Sequence, residues 1–73
     1  MDLRDAVFLV LFNKSTHWWT ISAVLHEVQT IMLKDATEQD VLVQLAFFVK
    51  QGVVESRIEG DERLYKYCIP KKR

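Results

Sequence analysis

Two histidines, one cysteine and several acidic pairs are the residues of this chain whose types could do chemistry. His26-Glu27 begins like the zinc-protease helix motif, in which two histidines four positions apart hold the metal and the glutamate acts as base. Thr30 stands where the second histidine belongs. His17, His26 and Cys68 follow no recognised metal-ligand spacing. Gly52 and Gly60 lie too far apart to form a phosphate-cradling loop. Asp61-Glu62 falls in a polar turn and reads as solvated charge. A domain this small also has little room for a concave site. The expectation is therefore no enzyme, no cofactor and no metal.

Length and composition point the same way. The chain has 73 residues, of which 49% are hydrophobic. That length suits one domain, 1–73, which buries only about 60% of its unfolded surface. So large an apolar share suggests either a dense core or a surface meant for another chain. The formal net charge is zero, but it is unevenly spread. Residues 1–49 carry three basic and six acidic groups, and residues 50–73 carry seven basic and four acidic ones. Any polyanion should therefore meet the C-terminal third. The lone Cys68 permits no internal disulfide, which fits a reducing, cytoplasmic compartment. The acidic N-terminus lacks the basic region of a secretory signal, and the apolar run 6–12 is too short to span a bilayer.

The elements that must position any functional surface follow from periodicity. Helix is expected over residues 3–13, with Leu3, Ala6, Val7, Val10 and Leu11 on its inner face. Phe8, Leu9 and Phe12 are left on the opposite face. His17-Trp18-Trp19 reads as a short extended segment, and Thr20 as the N-cap of a second helix. That helix carries Ile21, Val24, Leu25, Val28 and Met32 on one stripe and should end near Leu33 or Lys34. Thr37, with Asp40 three residues on, predicts a capping box that opens a helix over 38–51. Gly52 is suited to its left-handed C-terminal cap. Val53–Ile58 and Arg63–Ile69 then read as two strands joined by a turn at Glu59–Glu62. The expected core includes Val7, Val10, Leu25, Val28, Val41, Leu45 and Phe48.

The fold class is mainly α with a small β-hairpin, in the order α-β-α-α-β-β. With the stretch Val41…Leu45…Phe48…Gly52-Val53-Val54-Glu55-Ser56-Arg57, this order resembles the winged-helix family, a variant of helix-turn-helix. Thr20-Ile21-Ser22…Val24-Leu25…Val28 is similar to the start of that family's second helix. The segment between the second and third helices is longer here than in the tight bacterial form.

The resemblance implies a DNA-binding transcriptional regulator acting as a homodimer, its third helix in the major groove and its wing on the backbone. Gln39, Val43 and Lys50 would then face the groove, while Arg57, Arg63, Lys66, Lys71, Lys72 and Arg73 would meet phosphates. The alternative is a protein-interaction winged helix that uses apolar faces of the first and third helices. It is favoured by the acids Asp35, Glu38 and Asp40 at the start of the third helix and by the absence of arginine from it. Phe8, Leu9, Phe12, Trp19 and Phe47 are the expected dimer or partner surface. No membrane and no small-molecule substrate is implied.

Overall fold

A computed structural model describes residues 2–31 and 34–68. Three helices, α1 (Leu3–Asn13), α2 (Ile21–Ile31) and α3 (Glu38–Gln51), precede an antiparallel hairpin of β1 (Val54–Glu59) and β2 (Glu62–Tyr67). The chain is thus mostly helical, with one two-stranded sheet.

Each helix begins where a side chain satisfies a free backbone N–H. The Asp2 carboxylate accepts from the Asp5 N–H at 2.9 Å, and the Thr20 hydroxyl accepts from the Ala23 N–H at 3.1 Å. At α3 the cap is reciprocal. The Asp40 N–H donates to the Thr37 hydroxyl at 3.2 Å, and the Thr37 N–H donates to the Asp40 carboxylate at 3.0 Å. Gly52 ends α3 at φ 83°, and the Val53 N–H donates to the Phe48 carbonyl at 3.1 Å. Both ends of α3 lie where the sequence places them.

The core joins all three helices to the sheet. Ala6, Val7, Val10 and Leu11 from α1 meet Val24 and Val28 from α2 and Val41, Leu45 and Phe48 from α3, closed by Trp19, Val54 and Tyr65. One expected core residue sits differently: Leu25 is only half-buried, and Val24 is fully buried. Val24 and Val28 form the centre of the α2 stripe, while Ile21 and Leu25 lie one step round the helix at its edge. Met32 and Leu33 lie outside the described residues, and Lys34, the later of the two expected ends of this helix, is already in a turn. The α2–α3 connection is anchored by the Gln29 side-chain amide, which donates to the Ala36 carbonyl at 3.1 Å.

The hairpin turn is tighter than expected. Glu59 and Glu62 are paired, which leaves Gly60 and Asp61 as a two-residue loop with Gly60 at φ 60°. A glycine at the first central position with positive φ matches the twist of the flanking strands. β1 accordingly runs one residue further than anticipated, to Glu59. β2 begins one residue earlier than expected, at Glu62, and ends at Tyr67, short of Cys68; Ile69, the expected last residue, lies outside the described residues. On the far side of β2, Trp19 makes an isolated bridge to Tyr65, with N–H to carbonyl distances of 2.7 and 2.8 Å.

Candidate binding surface

Strand alternation divides the hairpin into two faces. The register pairs Arg57 with Leu64, Glu55 with Lys66, Ser56 with Tyr65 and Ile58 with Arg63. Arg57 and Lys66 therefore share the outer face, and Arg63 falls on the face turned toward the helices. The basic residues expected to act together on phosphates are split between two sides of the hairpin. Lys71, Lys72 and Arg73 lie outside the described residues.

On the outer face both cations are engaged with one ring. The Arg57 guanidinium carbon lies 4.4 Å from the Trp18 ring centroid and the Lys66 ammonium 5.2 Å from it. Arg57 also pairs with Glu59 at 2.8 Å. The bridge to Tyr65 fixes which tryptophan faces out. Trp19 shares the inner face with Tyr65, so Trp18 must point the other way. Trp19, expected on a partner surface, is instead a core residue with 6% of its surface exposed.

The aromatic ridge of α1 is also less bare than its sequence suggests. Phe8 stacks on Phe12 with ring centroids 5.7 Å apart. Tyr67 of β2 meets both edge-on, at 5.8 Å from Phe8 and 5.3 Å from Phe12. Phe8 further touches Phe48, and it and Leu9 are half-buried. Phe12 remains 50% exposed. Phe47 is half-buried under the Arg4 guanidinium, 4.0 Å from its ring centroid, and Arg4 is itself held by donating from Nε to Gln44 at 3.0 Å. Of the five residues expected to form one partner surface, only Phe8 and Phe12 are shown in direct ring contact.

The outward side of α3 is the largest change in emphasis. Gln39, Val43 and Lys50 are all exposed on one stripe, as the DNA reading requires. Beside them, however, runs a row of hydrocarbon: half-buried Leu42, exposed Ala46 and Val49. Val43 is 52% and Val49 36% exposed. With Ser56, Arg63 and Tyr65 from the hairpin, Leu42, Ala46 and Val49 line a groove of about 260 Å3. Ile58, opposite Arg63 near the hairpin turn, is 63% exposed.

The chain matches no family model. It is significantly similar to no curated protein and to no solved structure. At the start of α3, Asp40 is committed to its cap and Glu38 accepts from the Ser22 hydroxyl at 3.1 Å. Arg63 is the charged residue of the groove lining, and its positive charge partly offsets the upward shift that burial imposes on the Tyr65 phenol.

The sequence points to Val43 and Arg63 but not to the groove that Leu42, Ala46 and Val49 form with the hairpin. The closeness of that row to Ser56 and Tyr65 depends on how the hairpin docks. Among the described residues, no group of three His, Cys, Asp or Glu side chains is placed to hold a metal ion. No described helix is long and apolar enough to cross a membrane.

Proposed function

We propose that this chain is a winged-helix binding module, without catalytic activity, whose partner is another protein. One observation carries this reading: the outward side of α3 presents Leu42, Val43, Ala46 and Val49 to solvent. In a helix that reads DNA, polar and basic groups at such positions meet base edges and phosphates. Here acids stand at the N-terminal end of the helix and its only cation is Lys50. Two of the wing's cations are already stacked on Trp18. Exposed hydrocarbon on this helix face favours a protein, whose apolar groups can cover it.

The order of three helices and a hairpin, the short extended segment bridging to β2, and the left-handed glycine after α3 support the winged-helix architecture.

A second reading, a DNA-binding transcriptional regulator acting as a homodimer, is favoured by the exposure of Gln39, Val43 and Lys50 along a single stripe of α3. A titration of the whole chain with random duplex DNA across a salt series separates the two. The protein reading expects no shift of α3 amide resonances at moderate salt. A saturable shift at Gln39, Val43 and Lys50 that weakens steeply with added salt would replace it with the DNA reading.

A further inference from the structure

We infer that the groove between α3 and the wing is the docking site for an amphipathic helix of a partner protein, one that carries acidic residues beside its apolar stripe. The inference rests on the protein-binding reading and adds the place and the chemistry of the partner.

The α3 wall of the groove is Leu42, Ala46 and Val49. These residues stand at i, i+4 and i+7, so they form one row along two turns of helix. A row of that kind is what a second helix interdigitates with, and its own apolar residues at i, i+3 or i+4, and i+7 match the spacing. Ala46, at the middle of the row, is small and exposed, so a partner helix can approach closely there.

The opposite wall is polar and basic. Ser56, Arg63 and Tyr65 come from the helix-facing side of the hairpin. The hairpin's Glu59 is turned away: it shares the outer face with Arg57 and pairs with it. Glu38 and Asp40 stand at the opening end of α3, outside the groove lining, where Glu38 accepts from Ser22 and Asp40 caps the helix. A helix lying with its apolar stripe on Leu42, Ala46 and Val49 thus brings one flank against Arg63. Charge complementarity requires that flank to be acidic.

The probes are two designed helical peptides with the same leucine stripe, one flanked by glutamate and the other by lysine. Titration of the full chain is followed by amide chemical shifts. The glutamate peptide is expected to shift Leu42, Ala46, Val49, Ser56 and Arg63 and to bind at least tenfold tighter than the lysine peptide. Arg63→Glu should reverse that preference. Ala46→Trp should abolish binding of both peptides while the far-UV spectrum stays unchanged. Equal binding of the two peptides, no binding of either, or shifts confined to other faces would overturn the groove assignment and leave the protein reading standing. Competition by random duplex DNA for the same residues would overturn the protein reading itself.

Discussion

Trp19 is held at its backbone by two hydrogen bonds to Tyr65, yet its indole N–H is a buried donor with no partner among the described residues. An unsatisfied buried donor costs about 1–3 kcal/mol. Trp19→Phe removes that donor together with part of the ring, so the two effects oppose each other. Its expected destabilisation in urea unfolding is under about 1.5 kcal/mol, against about 3–5 kcal/mol for Trp19→Ala. A loss for Trp19→Phe as large as that for alanine would mean the indole N–H is satisfied. The sequence shows that Trp18 and Trp19 face opposite ways, but only the pairing with Tyr65 decides which one enters the core. Tyr65 itself carries a pH prediction. Burial raises its phenol above the ordinary value, so the folded chain holds that proton longer than the unfolded chain does. This contribution to stability is complete below the ordinary tyrosine range and is lost as pH rises through it toward the folded value. Denaturant midpoints measured on either side of that range should fall less for Tyr65→Phe than for the wild type.

Among the elements, α3 was the most legible, because both of its ends are set by local chemistry. Thr37 and Asp40 close one end, and Gly52 takes the left-handed conformation at the other. Thr37→Ala should cost about 1 kcal/mol. Gly52→Ala meets no steric obstacle, so its cost is the strain of placing a side chain at φ 83°, about 1–2 kcal/mol. Leu45→Ala, in the fully buried stripe, should cost about 2–5 kcal/mol. Chemical denaturation of the three variants checks that order. Elements set by distant partners were less legible. Hydrophobic spacing finds the α2 stripe but does not say that Val24, rather than Leu25, lies at its centre. Glycine and acidic residues locate the hairpin turn, whereas its length follows from the Glu59–Glu62 pairing.

For the whole molecule, the homodimer reading now rests on Phe12 more than on the full ridge, because Tyr67 and Phe48 cover Phe8. On that second reading, Phe12→Glu should reduce self-association in sedimentation velocity while helical content is kept. A wild type that stays monomeric at every micromolar concentration removes the dimer. The ridge was legible in the sequence, but its cover was not, since Tyr67 reaches Phe12 from the far end of the chain. Charge gives a further prediction at this scale. The N-terminal two-thirds of the chain are acidic and the remainder basic, so weak association with a polyanion at low salt is expected even of a protein-binding module. Three of the seven cations in that basic third are Lys71, Lys72 and Arg73. Their removal should weaken low-salt binding to every duplex sequence alike and flatten the salt dependence by about two to three units of log–log slope. Affinity for the glutamate-flanked peptide should change little, because Arg63 and the α3 row supply that contact. Parallel titrations of the truncated and full chains with duplex and peptide measure both. A truncation that weakens peptide and duplex equally would place the tail in the groove contact and show that Arg63 does not set the charge preference alone.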